Sequence, residues 1–161
     1  MPAITLLLHN IRSTHNVGSI FRTADGFGVK NIVFTGYTPY PSFEGDHRLP
    51  HLAEKIDKQI RKTALGATDS IPFEQYDDVN TWLNKNIQPL IALEQSERSQ
   101  LLPSYTPPSS DYVVVLGEEV SGIPLELLRK CEDVIEIPMN GEKESFNVSV
   151  ATGIALYALT T

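Results

Sequence analysis

Five polar side chains stand where packing logic alone would not have put them: Asn16, Arg22, Glu119, Ser145 and Asn147. Arg22 is the fixed cation of the set, suited to clamping an anion rather than to removing a proton. Glu119 brings a carboxylate, and the other three bring amide or hydroxyl groups able to orient a bound molecule. The generic catalytic arrangements are missing. There is no G-x-S-x-G elbow, no P-loop, no HExxH helix and no G-x-G-x-x-G after the first strand. A Cys–His pair would have to recruit the lone Cys131 from a helix that looks structural. Four of the five also have an ordinary role open to them. Arg22 has Asp25 at i+3, Asn16 and Asn147 are N-cap candidates, and Ser145 suits a turn.

Positioning these residues requires an alternation of strands and helices, and the hydrophobic pattern supplies one. Apolar runs at residues 4–9, 30–35, 70–73, 89–93, 112–116 and 133–137 read as strands. Helical spacing begins at Val17, Ile20, Phe21, Ala24 and Phe27, after a loop whose Ser13, Thr14 and Asn16 all suit a cap. Gly26 and Gly28 close that helix. Further helices are expected over residues 52–65, 77–86, 124–131 and 147–159. The alternation implies an α/β fold with a mostly parallel six-stranded sheet flanked by helices. Ligands of such sheets sit beyond the carboxyl ends of the strands, which here are residues 117–122 and 138–146. The long loop 36–50, carrying Tyr37, Tyr40, Phe43, Asp46, His47 and Arg48, reads equally as a binding lid or a connector. Residues 94–110 read as polar and proline-bearing, with a short helical turn before Pro103.

At 161 residues, 41% apolar and 20% charged, the chain is sized and composed for one globular domain. A single cysteine excludes an internal disulfide framework and a cysteine-based zinc cluster, and no metal site is expected. No apolar run approaches the ~20 residues that span a bilayer, and no signal peptide is visible, so a cytoplasmic protein away from membranes is expected. The net charge of −7 is unevenly spread. Residues 1–62 hold eight basic and five acidic side chains, net +3, and all four histidines; the remainder holds five basic and fifteen acidic, net −10. The first third therefore offers a basic face that can meet phosphates.

Three segments bear a collective resemblance. Asn16-Val17-Gly18-Ser19-Ile20-Phe21-Arg22-Thr23-Ala24, Leu116-Gly117-Glu118-Glu119-Val120-Ser121-Gly122-Ile123-Pro124, and Ile137-Pro138-Met139 through Ser145-Phe146-Asn147-Val148-Ser149-Val150-Ala151 resemble, in order, the three motifs of the SpoU/TrmH family. These are RNA ribose 2′-O-methyltransferases of the SPOUT superfamily. The resemblance implies a deep C-terminal trefoil knot, a homodimer, and S-adenosylmethionine held in the knotted loops. By position, Leu93, Gly117, Ile137, Ser145, Phe146 and Asn147 would contact the cofactor. Arg22 would act on a tRNA or rRNA, helped by Asn16, Glu119, Ser145 and Asn147, with Glu119 rather than Glu118 taken from the Gly-x-Glu spacing. Arg12, His15, Arg48 and Lys62 are the expected RNA contacts from the basic third. The chain starts at its first strand, so no N-terminal RNA-binding extension is expected. Two other classes stay open: a non-catalytic RNA-binding module of the same fold, and an α/β enzyme acting on a small anionic metabolite.

Overall fold

A computed structural model describes all of residues 1–161. Its centre is β1 (Ile4–His9), a strand buried at every position. A strand apolar on both faces needs cover on both. Leu6 and Leu8 enter one core with Val114, Leu116, Ile32 and Phe34, whereas Leu7 enters another with Val33, Val113 and Val115. The larger core lies under α1 (Thr14–Gly26), α2 (Pro50–Ala64) and α5 (Val148–Thr160). The smaller lies under α3 (Val79–Leu83) and α4 (Leu125–Arg129), through Trp82 and Leu127. The result is a three-layer α/β/α domain.

The strands are β1, β2 (Asn31–Thr35), β3 (Phe73–Tyr76), β4 (Leu90–Leu93), β5 (Gln100–Leu101), β6 (Tyr112–Leu116) and β7 (Asp133–Glu136). They run in the order β3-β2-β1-β6-β4-β7-β5, and every pairing is parallel. All strand exits therefore open at one edge.

The expected six strands become seven. The extra one, β5, is a two-residue edge strand inside the stretch read as polar, and both its residues are exposed, so no apolar pattern marks it. A helical turn does form in this stretch, at Leu102–Ser104, so that it includes Pro103 instead of preceding it. The third strand spans Phe73–Tyr76 instead of residues 70–73, so the two share only Phe73. Ser70 and Ile71 give their N–H groups to Ala67 O in a 3₁₀ turn, which removes them from the sheet. The helix expected over 77–86 shrinks to α3, with Asp78 as its cap.

Among the three cap candidates of α1, Ser13 takes the position and accepts from Asn16 N at 3.1 Å. That leaves the Asn16 side chain free to reach elsewhere. Helices α1 and α2 pack closely at Gly18, where an added Cβ would collide with Ile60 O and Thr63 Oγ1. This contact fixes which way each face of α1 points.

Candidate active site

Beyond the carboxyl ends of β4, β6 and β7 lies a cleft of about 300 Å³. Its walls are three loops: residues 93–95, 116–122 and 136–148. Leu93, Leu116, Ile137, Met139 and Phe146 give it an apolar side. Glu94, Glu118, Glu119, Glu136 and Glu144 line it as well, with no lysine, arginine or histidine.

The loop after β6 is closed on itself. Glu118 and Gly122 exchange backbone hydrogen bonds of 3.2 and 2.9 Å, and Gly122 sits at φ +72°. At Gly117 a Cβ would lie 2.5 Å from Ile123 N and 2.6 Å from Gly122 C, so the crowding comes from the loop itself. The Glu118 carboxylate accepts from Ser121 N at 2.6 Å and from the Ser121 hydroxyl, and these bonds hold its pKa below the usual carboxylate range. Glu94 accepts from Ile123 N at 2.8 Å, tying the first loop to the second. Gln95 donates to Glu144 O at 2.6 Å, tying the first loop to the third.

Glu119 turns away from the loop toward the start of α1. Its carboxylate accepts from Arg12 N at 3.1 and 3.2 Å, from Ser13 N at 3.3 Å and from Asn16 Nδ2 at 3.4 Å. Asn16 Oδ1 in turn accepts from Asn147 Nδ2 at 3.2 Å. Asn147 caps α5, accepting at Oδ1 from Ser149 N at 2.9 Å and Val150 N at 3.4 Å. Three residues from the three motif segments thus form one relay from the second loop, through α1, to the third.

Of the expected cofactor contacts, all six (Leu93, Gly117, Ile137, Ser145, Phe146 and Asn147) line the cleft. Leu93 and Ile137 also pack against the larger core, serving cleft and interior together. Ser145 is exposed and makes no hydrogen bond within the chain. Arg22 does not join them. It is exposed, makes no ion pair with Asp25, and lines a separate open basin of about 660 Å³ with Ser19, Thr23, Lys62 and Thr63.

The expected RNA contacts divide similarly. Lys62 shares the Arg22 basin, and His15 is exposed beside it, its carbonyl accepting from Thr63 Oγ1 at 2.9 Å. Arg12 is exposed and paired to Glu118 at 3.5 Å. Arg48 is committed elsewhere. Its guanidinium pairs with Asp46 at 2.7 Å, donates to the Tyr40 and Pro41 carbonyls, and stacks on the Tyr40 ring at 3.6 Å. It staples loop 36–50, which packs through Tyr40 and Phe43 onto Phe34 and Phe73. The connector reading of that loop is the one these contacts favour.

Sequence reasoning missed Glu94, Gln95 and Glu136. The signal available was position, since each falls at or beyond the carboxyl end of a strand. No group of three or more His, Cys, Asp or Glu side chains is arranged to hold a metal ion. No helix is long and apolar enough to cross a membrane.

The chain is similar to a 23S rRNA (guanosine-2′-O-)-methyltransferase of Coxiella burnetii, 29% identical over 159 residues, which take in 97% of this chain and 57% of that protein. A tRNA (guanosine(18)-2′-O)-methyltransferase of Aquifex aeolicus is 30% identical over 161 residues, or 92% of this chain and 64% of that one. The AdoMet-bound rRNA methyltransferase from Sinorhizobium meliloti superposes with a TM-score of 0.81 at 25% identity, over 97% of this chain and 55% of the other. The chain spans little more than half the length of the Coxiella burnetii and Sinorhizobium meliloti proteins it matches. Residues 3–157 match the SpoU rRNA methylase family, and the chain belongs to that family.

Proposed function

We propose that the chain is an S-adenosylmethionine-dependent methyltransferase acting on a ribose 2′-hydroxyl of tRNA or rRNA. The observation that carries this reading is the composition of the cleft. Five carboxylates and no cation suit a ligand of net positive charge, as S-adenosylmethionine is with its sulfonium, ammonium and single carboxylate, and the apolar wall suits a flat purine. A small anionic metabolite would meet repulsion in the cleft, and the reading that binds one through the cations of the first third finds none of them there. Bound in the cleft, S-adenosylmethionine would supply an electrophilic methyl group.

The chain's own part is positioning and electrostatics. The Glu119–Asn16–Asn147 relay holds the second and third loops against α1. Leu93, Ile137 and Phe146 exclude water from the ring side. Arg22 grips an RNA phosphate and steadies negative charge on the attacking ribose oxygen. The non-catalytic module is set aside on the cleft, whose apolar wall and carboxylates form a ligand-sized hollow that RNA binding alone does not require.

Arg22 lies outside the cleft of its own chain, so in this reading it serves the cleft of a second copy. Exposed Val150, Ile154 and Tyr157 on α5, beside Phe27, offer that copy an apolar face. The trefoil knot belongs to the same reading, formed by the loops that wall the cleft. So does a cytoplasmic location, which fits a buried, unpaired Cys131.

The test is tritiated methyl transfer from S-adenosylmethionine into RNA from cells lacking the protein. At a subsaturating cofactor concentration, Arg22→Ala and Gly117→Ala are each expected to transfer little methyl alone and to regain activity when mixed, because one mixed site has both an intact cleft and an intact Arg22. No transfer by the wild type into any RNA fraction would refute the activity. Active wild type with no complementation would refute the shared site.

A further inference from the structure

Thirteen lysines and arginines are present, and the structure sorts them into committed and free. Arg12, Arg48 and Arg61 hold carboxylates. Arg98 donates to the Leu128 and Cys131 carbonyls, Lys85 to Tyr76 and Lys130 to Asn80. The rest make no ion pair or side-chain hydrogen bond, and four of those, Arg22, Lys55, Lys58 and Lys62, belong to the packed pair α1 and α2.

On α2 the exposed residues His51, Lys55, Lys58 and Lys62 recur at intervals of four, three and four. At 3.6 residues per turn they fall within an arc of about 60° and extend about 16 Å along the helix. The acidic residues of the same helix do not neutralise the row. Asp57 is held by Arg61 and Ser42 N, and Glu54 makes no ion pair. At its C-terminal end the row runs into the basin where Lys62 meets Arg22, Ser19, Thr23 and Thr63.

We infer that this row is the track on which the RNA backbone lies as it approaches Arg22. Three unpaired lysines leading into a concavity that carries the Ser19 and Thr23 hydroxyls fit a flexible polyanion whose phosphate and ribose can enter the hollow. A bilayer presents a broad surface to the row but nothing that fills the basin. In a chain of net charge −7 such local concentration is what allows anion binding at all. The track replaces Arg48, bound to Asp46, as the expected extension of the Lys62 contact. It rests on the RNA reading above.

The test is fluorescence anisotropy of the full chain with a labelled oligouridylate of about twenty nucleotides, between about 20 and about 200 mM NaCl. The triple variant Lys55→Gln, Lys58→Gln, Lys62→Gln is expected to bind about tenfold more weakly at low salt, with the slope of log affinity against log salt reduced by about 2, or ~0.7 per lost contact. Lys30→Gln, Lys85→Gln, Arg129→Gln makes the same change in net charge elsewhere and is expected to keep the wild-type slope. Equal losses in the two triples, an unchanged slope in the first, or no binding by the wild type at the lowest salt would overturn the track. So would binding to phosphatidylserine vesicles that depends on the row while RNA binding does not. Calorimetric titration with S-adenosylmethionine keeps the two proposals apart: failure there with a row-dependent RNA slope removes the methyltransferase reading and leaves the track.

Discussion

Replacing Glu119 by alanine removes the acceptor for two backbone N–H groups and one side-chain amide at the head of α1. Hydrogen bonds to a charged acceptor contribute about 1.5–3 kcal/mol each. The bonds here are long, 3.1 to 3.4 Å, and the carboxylate is only half-buried, so values at or below the lower end apply. Water can also reach the stranded Arg12 N–H. The expected loss for Glu119→Ala is therefore about 3 kcal/mol, taken as three contacts at about 1 kcal/mol each, just below the low end of the range. Glu119→Gln keeps one oxygen acceptor and loses the charge near the helix start, for an expected loss of about 1 kcal/mol.

Urea denaturation followed by circular dichroism measures both. With a slope near 2 kcal/mol/M, the alanine variant should lower the midpoint by about 1.5 M and the glutamine variant by about 0.5 M, at unchanged slope. Asn16→Ala should couple to Glu119→Ala by about 0.5–1 kcal/mol in a double-mutant cycle, because the two side chains share one hydrogen bond. A midpoint within about 0.2 M of wild type for Glu119→Ala would refute the argument that this carboxylate joins loop to helix. A full shift in Glu119→Ala with zero coupling to Asn16 would keep the backbone anchor and discard the relay.

Other expectations follow from single features. Gly117→Ala forces the loop backbone apart at Ile123 and should weaken S-adenosylmethionine binding by about tenfold or more in a calorimetric titration. Unchanged affinity would show that the loop tolerates the opening. His9 is buried, bonded to Thr35 Oγ1 at 2.8 Å, and desolvation lowers its pKa below the ordinary histidine value. The unfolded chain then takes up the proton first as pH falls. Stability is full above about pH 6.5 and declines below it, until the lower folded-state pKa is passed. His9→Gln should flatten that decline in melts compared at about pH 7.5 and about pH 5.5, and an identical decline in both proteins would assign it to other groups. Burial pushes the Cys131 thiol up to about 11, so a disulfide reagent at neutral pH should label it only after unfolding; rapid labelling of the folded chain would contradict its burial.

Legibility in the sequence followed burial. Strands β1, β2, β4 and β6 are apolar runs that lie within the sheet, and such runs stand out. The two ends of the sheet do not. β3 carries Glu74 and Gln75, and its start is decided by the 3₁₀ turn at residues 67–69 capturing the next two amides. β5 is two exposed residues that pair only because β7 offers an edge. In the site, the residues of the three motifs could be named, but their connections could not. Glu94 and Gln95 are ordinary polar residues until the fold brings Ile123 N and Glu144 O within reach. Arg48 shows the converse error. It looked like a free cation of the basic third, and Asp46 two residues earlier takes it.

Arg22 poses the sharper question, because its separation from the cleft is already implicit in its spacing from Asn16. Six residues along a helix amount to about 9 Å of rise and a rotation that leaves the two side chains about 120° apart. Gly18 pins α1 against Ile60 and Thr63 of α2, so neither side chain is free to be rolled toward the other. Asn16 faces Glu119 and Asn147, and Arg22 faces the basin shared with Lys62. In this structure the two side chains therefore serve different hollows, with α1 held in place by the glycine contact. The proposed mechanism supplies Arg22 to the cleft from another copy, and the alternative is a cleft that works without it. Mixing the Arg22 and Gly117 variants separates these two cases, because only the first regenerates a complete site.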